Sequence, residues 1–124
     1  MRRTSVLTLA LAGTAAGLLT VAGCGAGDSA AAQSVAVTAT DTTCALARTD
    51  LPAGTTEFTV TNKGTKVTEF YVYGSDGSVK GEVEDIGPGV TRSLRADLKA
   101  GQYEAACKPG MTGDGIRTKL TVSG

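Results

Sequence analysis

From residue 35 onward, apolar and polar positions alternate with a period of two. "SVAVTAT" sets Val35, Val37 and Ala39 against polar neighbours, and "TEFTVTN" does the same with Phe58 and Val60. "VTEFYVYG" places Val67, Tyr71 and Tyr73 on one side and Phe70 and Val72 on the other. "GVTRSLRADL" repeats the pattern less regularly with Val90, Leu94 and Leu98. "GQYEAAC" carries Tyr103 and Ala105, and "GIRTKLTVSG" carries Ile116, Thr118, Leu120 and Val122. A period of two puts alternate side chains on opposite faces of an extended chain, so each run predicts a half-buried strand. Glycine-, proline- and asparagine-bearing turns ("LPAG", "TNKG", "GSDGS", "GPG", "KAGQ") separate the runs. Short, regularly punctuated strands without an amphipathic helix predict an all-β fold, an antiparallel Greek-key β-sandwich. The stretch 41–50, "DTTCALARTD", is irregular and fits a loop or a single helical turn.

The first quarter of the chain follows another pattern. "MRR" is a basic start, Val6 to Val21 form an Ala/Leu-rich apolar run, and small residues lead into "VAGC" at 21–24. An apolar run of this length ending in small residues reads as an export signal rather than a membrane span. Its ending is similar to the lipobox of bacterial lipoproteins, which makes Cys24 the expected lipidation site. An ordinary secretory signal is the plainer alternative. Residues 1–23 are then a lipoprotein signal peptide, 24–34 ("CGAGDSAAAQS") a flexible tether, and 35–124 the folded domain. The expected location is extracytoplasmic, anchored through lipid to the cell membrane.

Charge narrows the partners. The whole chain has 12 basic and 12 acidic residues, and losing Arg2 and Arg3 with the signal leaves a net charge of −2. No basic run interleaved with aromatics remains, so nucleic acid is not an expected partner. There is no histidine, so neither a Ser/His nor a Cys/His catalytic pair can form, and the chain is not read as an enzyme. With Cys24 lipidated, Cys44 and Cys107 remain. Outside the cytoplasm the default for two cysteines is one disulfide.

Three segments resemble the cupredoxin fold. They are "TNKGTKVTEFYVY" (61–73), "LKAGQYEAAC" (98–107) and "CKPGMTGDGIRTKLTVSG" (107–124): a turn before a strand, a cysteine at a strand end, and a loop returning into the last strand. In cupredoxins a copper ligand opens the strand after that turn, and the others come from the cysteine and its loop. Here Glu69 stands at the first histidine position and Gly110 at the second, and Met111 is off the usual axial spacing. A blue-copper centre needs two imidazoles and a thiolate, so plastocyanin-like electron transfer is excluded. Together with "TDTTC" (40–44) and "GEVEDIGPG" (81–89), these motifs resemble the cupredoxin-like domain of EfeO-type proteins, exported components of bacterial iron uptake. Typical members continue into a helical, peptidase-M75-like domain, so the resemblance extends only to the cupredoxin-like part. It implies a bound metal ion, copper or iron, and an iron-permease or other uptake component as partner.

The residues themselves leave two uses open. Glu69 shares a strand face with Val67 and Tyr71; if that face is the core, its carboxylate needs a cation or a donor, with Arg117 or Lys66 as plain partners. Glu82 and Glu84 point the same way if their segment is extended, and suit a hard cation or a solvated edge. Cys44 and Cys107 with Met111 favour a soft ion as thiolates, or act as a staple when joined. The candidate metal set is therefore Glu69, Cys107, Cys44, Glu82, Glu84 and Met111, with Asp114 a weaker member. The competing reading is a disulfide-stapled β-sandwich serving as an interaction or structural module without metal.

Overall fold

The computed structural model describes residues 32–124. The signal, Cys24 and most of the tether lie outside the described residues. The nine strands among those residues are β1 (Gln33–Ala39), β2 (Cys44–Leu46), β3 (Asp50–Pro52), β4 (Gly54–Asn62), β5 (Thr68–Gly74), β6 (Val79–Ile86), β7 (Thr91–Leu98), β8 (Gly101–Cys107) and β9 (Ile116–Ser123). They form two sheets, a four-stranded one in the order β2-β1-β4-β7 and a five-stranded one in the order β3-β9-β8-β5-β6.

The alternation explains the sandwich. Val35, Val37 and Ala39 of β1, and Phe58 and Val60 of β4, turn inward from the four-stranded sheet. Phe70 and Val72 of β5, Ala105 and Cys107 of β8, and Leu120 and Val122 of β9 turn inward from the other. Phe58 and Phe70 meet across the interior with ring centroids 5.4 Å apart, tilted by 48°. Such a pair adds about 1 kcal/mol beyond the area it buries. Gly81 of β6 lies close over Leu94 of β7, where a Cβ would come within 3.2 Å of its methyl groups, so the two sheets close at this corner.

The two-sheet, all-β architecture agrees with the alternation, with three differences. The sheets are mixed: β1 runs parallel to β4, Gln33 opposite Thr56 through Ala39 opposite Asn62, and β3 runs parallel to β9. Alternation fixes which face a residue takes and is indifferent to strand direction. The stretch 41–50 contains β2 and the first residue of β3, strands of three residues each, too short for a period to register. Finally, β1 begins at Gln33, so the last two residues assigned to the tether already pair with Thr56 and Glu57.

Candidate functional site

The loops β4–β5, β6–β7 and β8–β9 and the β1–β2 turn gather at one end of the sandwich. Buried Asn62 organises this end. Its side-chain amide donates to the carbonyls of Lys66 and Ile86 at 2.7 and 2.8 Å, and its Oδ1 accepts from Gly64 N. Asp41 reaches from the β1–β2 turn to accept from Thr65 Oγ1 (2.6 Å), Thr65 N (2.9 Å) and Lys66 N (3.2 Å). The Thr65 hydroxyl, then these backbone donors, hold its carboxyl below the ordinary 3.8.

Cys107 closes β8 here, fully buried, and its sulfur is bonded to that of Cys44 on β2. The bond joins the two sheets across a sequence separation of 63. Thr118 Oγ1 of β9 donates to Cys44 O at 3.0 Å beside it. Both cysteines of the candidate metal set are thus spent on each other and present no thiolate. After Cys107 the chain makes a 3-10 turn, Pro109–Met111, in which Met111 has φ 56° and is 43% exposed. A surface methionine and a buried sulfur do not face a common point. Gly115 (φ +78°) closes the loop, where any Cβ would sit 2.8 Å from Cys107 O.

Glu69 lies directly opposite Lys108, with backbone hydrogen bonds in both directions. Because Phe70 and Val72 take the core side, Glu69 shares the outer face of the five-stranded sheet with Tyr71 and Tyr73. Cys107, opposite Phe70, takes the inner face. Glu69 and Cys107, paired at the sequence level as ligands of one ion, are therefore on opposite faces. Neither Arg117 nor Lys66 pairs with Glu69: Arg117 Nη1 bonds Glu104 Oε2 at 3.1 Å, and its Nε donates to Asp114 O at 3.0 Å.

The outer face does gather the three glutamates. Glu82 is the register partner of Tyr71, whose hydroxyl donates to Glu84 Oε1 at 3.0 Å. Asp85 takes φ 55°, at the irregular end of β6. Tyr71 and Tyr73 stack with centroids 5.5 Å apart and planes 8° from parallel, and Lys108 Nζ lies 4.1 Å from the Tyr71 centroid. Burial first, then the hydrogen bond to Glu84 and the charges of Glu69, Glu84 and Glu82, push the Tyr71 phenol well above its ordinary 10.0. Among the described residues no three Cys, Asp or Glu side chains stand close enough to form a metal cage as they are. Tyr71 was missed at the sequence level, although its place two residues after Glu69 in a period-two strand already puts it on the same face.

The family model for the cupredoxin-like domain matches residues 7–122, and the chain belongs to that family. Among solved structures it is similar to dithionite-reduced auracyanin from the photosynthetic bacterium Roseiflexus castenholzii, with a TM-score of 0.58 and 14% identity over 75% of this chain and 98% of that one. It is also similar to auracyanin A, a "blue" copper protein of the green thermophilic photosynthetic bacterium Chloroflexus aurantiacus, with a TM-score of 0.54 and 14% identity over 73% of this chain and 98% of that one. No curated protein sequence matches it. At this identity the likeness is one of fold. A blue-copper ion does not fit the residues here: the chain has no imidazole, the strand-end sulfur is in a disulfide, and the first ligand position points to the other face of the sheet.

Proposed function

We propose that the chain is an exported, lipid-anchored cupredoxin-like component of an EfeO-type iron-uptake system, one that presents oxygen donors to a hard cation and carries no blue copper. The observation that supports this reading is the outer face of β5 and β6, where the Tyr71 phenol donates to Glu84 and feels the charges of Glu69 and Glu82 while both cysteines are in a disulfide. Carboxylate and phenolate oxygens suit Fe³⁺, and thiolates would have suited Cu⁺. Iron is cargo in this scheme: it displaces the Tyr71 proton, draws Glu82 and Glu84 inward, and passes to a permease partner. Titration with ferric nitrilotriacetate tests the reading. A visible phenolate-to-iron absorption band is expected, lost in Tyr71→Phe and weakened in Glu84→Gln. Absence of the band, with Fe³⁺ and Cu²⁺ leaving tyrosine fluorescence unchanged, overturns it.

The second reading is a disulfide-stapled interaction module without metal. The closed Cys44–Cys107 bond and the lack of a ready three-ligand group among the described residues favour it. The same titration separates the two.

A further inference from the structure

At the other end of the five-stranded sheet from the disulfide, a cleft of about 370 Å³ opens between the β5–β6 turn and the outer faces of β8 and β9. Its volume falls in the range of small-molecule sites. Tyr73, Gln102, Glu104, Arg117 and Lys119 line it. Arg117 is held in place on three sides: its guanidinium lies 4.4 Å from the Tyr73 centroid, Nε donates to Asp114 O, and Nη1 pairs with Glu104. Those contacts leave Nη2 without an acceptor among the described residues. A guanidinium already fixed in this way loses little freedom when it takes an anion. Lys119, directly opposite Glu104 on β9, forms no ion pair among the described residues. Gln102 accepts from Thr121 Oγ1 through Oε1, so its amide N–H groups also remain open. The cleft carries two cations against one carboxylate, a surplus of donors, and a single charged acceptor in Glu104.

We infer that this cleft binds a small hydroxylated carboxylic acid, with the ligand carboxylate on Arg117 and Lys119 and a ligand hydroxyl donating to Glu104. The site is separate from the carboxylates around Tyr71, so either can fail without the other. Planar guanidinium meets carboxylate through paired hydrogen bonds. Glu104 would accept from a neutral hydroxyl, which selects a hydroxy acid over the same acid without its hydroxyl.

The test is amide chemical-shift titration of the whole domain with glucuronate and with citrate, using tricarballylate as the acid lacking the hydroxyl, at constant ionic strength. Saturable shifts are expected at residues 102–104 and 117–119, with tricarballylate weaker than citrate. A stronger response to glucuronate assigns the ligand to sugar acids, and a stronger response to citrate assigns it to free hydroxy acids. Lys119→Gln, at an exposed position, should weaken binding about tenfold, as loss of one charge-assisted contact does. Glu104→Gln should narrow the gap between citrate and tricarballylate. Shifts that do not saturate, that sodium chloride reproduces, or whose midpoint is unchanged in Lys119→Gln overturn the proposal, as does equal binding of citrate and tricarballylate.

Discussion

Replacing both Cys44 and Cys107 with alanine opens the link between the two sheets without leaving an unpaired thiol at either position. The bond closes a segment with a sequence separation of 63. On the chain-entropy relation its loss frees the unfolded chain by about 4 kcal/mol. Cys107 is fully buried and Cys44 nearly so, so the missing sulfurs leave a void whose cost has the same sign. For a domain of this size the loss corresponds to a fall in melting temperature of about 15–30 °C. It is a large share of the total stability typical of small domains. Urea unfolding followed by circular dichroism, with and without reductant, measures it. The midpoint should fall, and the denaturant slope should rise, because the uncrosslinked chain exposes more surface when unfolded. Reduced wild type should approach the double variant. A loss below about 1 kcal/mol, or an unchanged slope, would refute the account of the bond as a constraint on the unfolded chain.

Three further outcomes are expected. Asn62→Ala strips donors from the buried carbonyl of Ile86 and from Lys66 O and should cost about 2–3 kcal/mol by thermal or urea unfolding. Asp41 has a carboxyl held below 3.8 by Thr65; its contribution is present above that value and is lost as pH falls through the lower folded one, so Asp41→Asn should flatten the acid limb of a stability–pH profile. Tyr71 has a folded pKa raised above 10.0, so stability should decline as pH rises past 10, where the unfolded phenol ionises first; Tyr71→Phe should remove the latest component of the tyrosinate absorbance titration.

Strand faces were legible because burial imposes the period. Phe58, Val60, Phe70 and Val72 follow it without exception. β6 was harder: only Ile86 of its eight residues is buried, and an edge strand that contributes one core side chain carries little period. The site divided along the same line. For Cys44 and Cys107 the residues left a staple and a pair of thiolate ligands both open, and the bond between β2 and β8 answers for the staple. Which face Glu69 takes depended on which side of β5 was the core. Both faces of β5 carry large apolar or aromatic side chains, and Phe70 and Val72 take the inner one. The Tyr71–Glu84 bond spans an irregular register between β5 and β6, which residue spacing does not encode.

The parallel pairing of β3 with β9 sets the order of assembly. β3 occupies an edge and has β9, the last strand of the chain, as its neighbour in the sheet. Cys44, six residues before β3, finds its partner only once β8 has emerged. β3 and the disulfide must therefore wait for the C-terminal third, while β1 already has β2 and β4 to pair with. Contacts of such sequence separation form late and make folding slow. A chain cut short of β9 would keep its hydrophobic alternation but leave β3 unpaired and β8 as a bare, adhesive edge.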